Sequence, residues 1–131
     1  MKGFVDDIEK LTKDNSDFRR VLYTGKHMQL VLMTLKPGEE IGAEVHEGHD
    51  QFLRIEEGEG EVVIDGTTHR VEDDFAVVVP AGARHNVINT GDSPLKLYTL
   101  YGPPEHRLDV VHPDKPDAES EDEHFDGRTT E

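Results

Sequence analysis

The chain contains no cysteine. That absence excludes a disulfide framework, a thiolate metal site and a cysteine nucleophile together, so any metal here must be held by nitrogen and oxygen. Long apolar runs are also missing: nothing approaches the roughly 20 residues needed to cross a bilayer. The first ten residues, MKGFVDDIEK, are acidic where a signal peptide is basic and then apolar. The expected compartment is the cytoplasm, with no membrane partner. Basic residues are scarce, 14 Lys and Arg against 29 Asp and Glu, for a formal net charge of -15. A surface of that sign repels phosphate backbones and argues against nucleic acid as a partner. It would suit a salt-rich environment, where charges are heavily screened, although an ordinary acidic protein accounts for it equally well. No internal repeat is present, which points to one barrel and not a duplicated pair.

What is present is a chain of 131 residues, the size of one domain able to bury its own core. Residues 1–17 form an N-terminal arm in which Phe4, Val5, Ile8 and Leu11 are spaced for a short amphipathic helix or an irregular arm. From Phe18 the chemistry is that of strands: FRRVLYT and MQLVLMTLK, then QFLRIEE, GEVVIDG, THRVE, FAVVVP, RHNVINT and PLKLYTLY. Gly, Asp and Asn break these stretches at short intervals, and Asp65-Gly66 is a two-residue hairpin signal. Many short punctuated strands predict an all-β, antiparallel barrel of six to eight strands over residues 18–113. The Pro-Pro pair after Tyr101 ends the last strand. Residues 114–131, with eight acids and two bases and almost no aliphatics, are expected to be disordered.

Two strings carry the chemistry: G38-x5-E44-x-H46-x4-Q51-x6-G58, and about fifteen residues later D74-x5-P80-x-G82-x2-H85-x3-N89. They resemble the paired signature of the cupin superfamily, G-x5-H-x-H-x3-4-E-x6-G and G-x5-P-x-G-x2-H-x3-N. The spacing agrees throughout, and three identities depart: Glu44 replaces a His, Gln51 a Glu, and Asp74 a Gly. The resemblance implies a double-stranded β-helix or jelly-roll barrel holding one divalent metal at Glu44, His46, Gln51 and His85. It also implies a range of chemistry that includes oxygenation, sugar-phosphate isomerisation and polyketide cyclisation, and the family has metal-free members.

Strand geometry supports that placement independently. Glu44 and His46, two residues apart, project to one side of a strand. Gln51 shares a face with Leu53 and Ile55, and His85 shares one with Val87 and Asn89. Two imidazoles and a carboxylate approach the arrangement that suits iron(II), with Mn, Zn, Ni and Co as other candidates. Moving the carboxylate from position 51 to position 44 conserves ligand charge while changing geometry. His49 competes with His46 as a ligand, but it is three residues away, on the opposite face of a regular strand and in a loop; His106 follows two prolines and is a candidate lid over the barrel mouth or a neighbour of the ligands, although such a residue is more often solvated. His27, His69, His112 and His124 fall in no pattern, and Phe52, Tyr98 and Tyr101 read as packing residues.

Two functions follow. One is a metal-dependent enzyme of the dioxygenase or isomerase/cyclase sort acting on a small organic substrate. Sugar phosphates fit it poorly, since Arg54 and Arg84 fall on the outward register. The other is a non-catalytic barrel that binds a small ligand as a sensor or store. Exposed sheet edges predict a homodimer, with the arm from Phe4 to Leu11 reaching across it.

Overall fold

Alternation of buried and exposed side chains closes two antiparallel sheets around one core in the computed structural model, which describes residues 1–131. Helix α1 (Ile8–Asp14) starts where the Asp7 side chain accepts a hydrogen bond from the Lys10 amide. Ten strands follow: β1 (Arg19–Thr24), β2 (Gln29–Leu35), β3 (Glu44–Val45), β4 (Asp50–Glu57), β5 (Glu59–Ile64), β6 (Thr67–Glu72), β7 (Ala76–Val79), β8 (Arg84–Asn89), β9 (Leu95–Gly102) and β10 (Val111–His112). Eight of them have four residues or more; the two-residue β3 and β10 are too short to register in the sequence pattern. One sheet runs β10-β1-β2-β9-β4-β7 and the other β3-β8-β5-β6. Asp65 and Gly66, at φ 45° and 83°, form the two-residue turn between β5 and β6, with Ile64 opposite Thr67.

The interior is apolar at one end and polar at the other. Met33, Leu97 and Ile55 stand in register across the larger sheet, with Leu35 opposite Leu95 beyond them, and all five are essentially buried. Toward the other end the register reads Gln29, Tyr101, Gln51, all buried. On the smaller sheet Glu44 pairs directly with His85. As expected, Gln51, Leu53 and Ile55 face inward; Glu56 is buried too, because the ladder slips between Ile55 and Glu57, and it pairs with Arg54 at 2.9 Å.

Asn89 ties the loops at the apolar end, the far end of β8 from His85. Its Nδ2 donates to the carbonyls of Leu35 and Ser93, both at 2.9 Å, and its Oδ1 accepts from the Gly91 amide at 2.9 Å. It is 1 % exposed, so none of these bonds can be replaced by water.

The arm and tail both pack on the barrel. Phe4 lies 6.5 Å from Tyr23 and, with Met28, Leu30 and Leu100, lines a recess on the arm's own sheet. Within the single chain the arm therefore packs on its own barrel, against Leu30 of β2 and Leu100 of β9. The tail differs from the expected disorder. Helix α2 (Lys115–Ser120) is capped by Asp114, and the chain then pairs with loop and strand backbone at Phe125 to Glu105 and Thr130 to Thr24. Composition missed this because the acids find specific donors: Glu131 accepts from the Lys2 and Gly3 amides and from Tyr23 Oη, and Glu123 from the Arg107 amide at 2.7 Å and His106 Nδ1 at 2.5 Å. Burial holds His106 below the ordinary imidazole range, partly offset by Glu123. Burial opposes the charge on Glu123, but His106 and the Arg107 amide more than compensate and leave its carboxyl below the usual range.

Two outcomes follow. Asn89→Leu should cost about 2–4 kcal/mol, since it strips partners from several buried backbone groups; chemical denaturation of the variant measures it. Glu123 binds a proton less readily when the tail is docked, so acid favours release. Docking should be complete above the ordinary Glu value of 4.5 and be lost as pH falls below it through the lowered value of Glu123. Amide exchange at Arg107 and Phe125 followed against pH checks this, and Glu123→Gln should remove the step.

Candidate metal centre

Glu44, His46 and His85 come together although β3 holds only Glu44 and Val45. The pairing of Glu44 with His85 fixes one edge of the cluster, and the hydrogen bond from the Gly82 amide to the His46 carbonyl (2.9 Å) holds the other. Gly82 has φ 87°, which a side chain would strain, so the Pro80-x-Gly82 turn is what delivers His85 inward. One ligand-type atom from each of the three residues lies within 4.8 Å of the other two. Ligands held about 2.1 Å from a shared centre stand roughly 3–4 Å apart, so a small closure completes the set.

The orientation of the donors fits a cation better than it fits mutual pairing. His46 Nε2 is 2.8 Å from Glu44 Oε2, yet it is buried and makes no hydrogen bond of acceptable angle. With His85 they form a group of ligand-type side chains that could hold a metal ion. His85 Nδ1 lies 3.1 Å from the Ala83 carbonyl, to which it donates, leaving Nε2 as the free lone pair. His46 Nδ1 is turned toward Glu105, at 3.7 Å. Both imidazoles therefore offer Nε2. Burial works against the Glu44 charge, but the adjacent His46, with Arg19 and His85, outweighs it and keeps the carboxyl below its usual range. The close Glu44 contact raises His46 above the ordinary imidazole value against the opposing effect of burial.

Gln51 faces the interior from the larger sheet, whereas Glu44 and His85 belong to the smaller one. Its Nε2 donates to Thr99 Oγ1 at 3.0 Å, while Oε1 is buried with no partner. An orphaned carbonyl-type oxygen inside the barrel is a donor atom awaiting something to bind.

Several residues join the site that sequence reasoning assigned elsewhere. His49 does sit in a loop, but its Nε2 reaches Glu105 at 2.8 Å and its ring is 5.8 Å from that of His46, because the loop folds back over the strand end. His106 is buried, with its ring 5.3 Å from Tyr101, and its Nε2 has no partner. Tyr101 packs edge-on to His46 at 5.9 Å, and burial pushes its hydroxyl well above the ordinary phenol range. Arg19, unnoticed in the sequence, points inward from β1 opposite Met33. Its parity with buried Val21 in FRRVLYT was the available signal. Glu105 and Glu123 had none, since one follows a proline pair and the other lies in a low-complexity tail.

The comparisons agree with this architecture. A family model described as the cupin domain matches residues 31–101. The chain is 52 % identical over 123 residues to the protein YrkC of Bacillus subtilis (strain 168), a match covering 89 % of this chain and 66 % of YrkC. It thus spans just under two thirds of that relative's length. It is 29 % identical over 116 residues to the polyketide synthase CurC of Streptomyces cyaneus, covering 84 % of this chain and 74 % of CurC. Among solved structures, BH2720 from Bacillus halodurans superposes with a TM-score of 0.90 at 47 % identity, over 92 % of this chain and 96 % of that one. Two facing antiparallel sheets, a motif pair spaced as in the superfamily and a domain match over more than half the residues lead to one assignment: the chain belongs to the cupin family.

Proposed function

We propose that Glu44, His46 and His85 bind one divalent metal ion, with Gln51 as a weaker fourth ligand, and that the protein is a metal-dependent enzyme acting on a small oxygenated organic molecule by dioxygenase or isomerase/cyclase chemistry. The observation that carries this reading is the misaligned 2.8 Å approach of His46 Nε2 and Glu44 Oε2, beside a His85 ring whose Nδ1 is already committed. A divalent ion of the Fe, Mn, Co, Ni or Zn type, when bound, polarises substrate oxygens and, if it is iron, opens the way to dioxygen chemistry.

The chain's own residues supply the rest. Ala83 locks the His85 ring, and Glu105 faces His46 Nδ1, so both imidazoles keep their orientation as ligand or substrate exchanges. Leu53, Val79 and Val87 wall the interior and exclude water from reacting groups. Likeness to a polyketide synthase supports diketones among the substrates to assay. The free edges β6 and β7 flank an apolar groove of about 290 Å³ with Phe75 and Val78 exposed, which supports pairing of two copies as a homodimer. The cytoplasm is the compartment we assign to this activity.

Protein purified without chelators should take up one equivalent of metal by calorimetry. His46→Ala, His85→Ala and Glu44→Ala should each weaken binding by more than about 100-fold, and Gln51→Ala by about tenfold or less, as the outer member of the set. Oxygen uptake over catechols, flavonols and diketones then reads catalysis. Stoichiometric metal with turnover supports the enzyme; ligand binding without turnover supports a sensor or storage barrel instead. Unchanged affinity in the three alanine variants would remove the metal centre altogether.

A further inference from the structure

The carboxylates at the polar end of the barrel are all spoken for, and each has gone to a histidine. Glu44 contacts His46 at 2.8 Å, Glu105 contacts His49 at 2.8 Å, and Glu123 meets His106 at 2.5 Å. Arg19 is left over. It stands inward on β1, between buried Met33 on one side and buried His112 on the other. Its Nη1 is 3.3 Å from His112 Nδ1, a neutral partner when it accepts, and its Nε is buried with no partner at all. No carboxylate lies within ion-pair distance of it. Arg20, Arg54, Arg70, Arg107 and Arg128 all have one, and Arg84 is exposed. In a chain with 29 acids and 14 bases, a guanidinium turned inward with only a neutral imidazole and the face of Phe18, 5.4 Å from its centroid, as partners is the anomaly. A partly desolvated charge is costly unless something pairs with it.

The charge of Arg19 acts on Glu44, His46, Tyr101, His106 and Glu123, the groups that surround the ligand cluster, where the Tyr101 ring lies 5.9 Å from that of His46 and 5.3 Å from that of His106. A planar fork with a free Nε–H matches a carboxylate, which accepts two parallel hydrogen bonds. The three glutamates around the chamber disfavour a dianionic phosphate and leave room for a single delocalised negative charge.

We propose that Arg19 is the anchoring residue for the carboxylate of a small organic acid, holding that acid in the barrel with its remaining oxygens toward Glu44, His46 and His85. The inference deepens the enzyme reading and rests on it for the chemistry, but the anchor itself is testable without metal. In metal-free protein, acetate and benzoate should shift the Arg19 Nε–H resonance, while acetamide and benzamide should bind at least tenfold more weakly. Arg19→Gln should weaken benzoate binding by at least tenfold, and Arg19→Lys should recover only part, because the ammonium lacks the fork. Metal affinity measured by calorimetry should stay within about threefold of the parent in Arg19→Lys and should not fall in Arg19→Gln, which removes a positive charge acting on Glu44 and His46.

The inference is overturned if Arg19→Gln binds benzoate as the parent does, if the amides bind as well as the acids, or if inorganic phosphate binds more tightly than either acid. An Arg19 Nε–H that responds to neither acetate nor benzoate overturns it too, and that measurement needs no variant to fold. Carboxylate binding through Arg19 in a protein that takes up no metal would sustain the anchor and sink the metal enzyme, so the two failures are separable.

Discussion

A barrel this small cannot hide a polar group without giving it a partner, and that constraint organises the whole molecule. One end of the interior meets it by having no polar groups: Met33, Leu35, Ile55, Leu95 and Leu97 fill it. The other end collects imidazoles, carboxylates, a glutamine amide and a guanidinium, and there the accounting does not close within the protein. His46 Nε2, Gln51 Oε1, His106 Nε2 and Arg19 Nε are all buried without hydrogen bonds. Four orphans at one end, against the well-satisfied Asn89 at the other, are what supports the proposal of a bound metal ion and substrate there.

The polar end is shaped by local devices. Direct pairing of Glu44 with His85 lets a two-residue strand position a carboxylate, and the Gly82 turn presents the histidine at the start of β8. The carboxylates of Glu105 and Glu123 orient His49 and His106 from the rim. Because Glu123 comes from the tail, the last residues of the chain complete the wall of the site. Their docking and the geometry around His106 and Tyr101 are one structural unit.

Much of this was legible in the residues. Period-two alternation gave the eight longer strands, Asp65-Gly66 gave its turn, and motif spacing singled out the three residues that converge. What escaped notice depends on partners distant in sequence. Arg19 reads as an ordinary strand residue until β10 and β2 close around it, and Tyr101 reads as packing until His46 and His106 lie against its ring. The tail looked unstructured because composition counts charges without knowing which donors they will meet. Glu131 finding two amides and a phenol 108 or more residues away is invisible to any local window.

X-ray absorption on protein loaded with a single equivalent of Zn(II) or Mn(II) tests whether His46 Nε2, His85 Nε2 and a Glu44 oxygen share one metal ion. A shared ion gives nitrogen and oxygen neighbours at roughly 2.0–2.2 Å with the scattering pattern of two imidazoles. A shell of oxygens alone, without imidazole, would mean the ion sits on the acidic surface and that the chamber was made for something else.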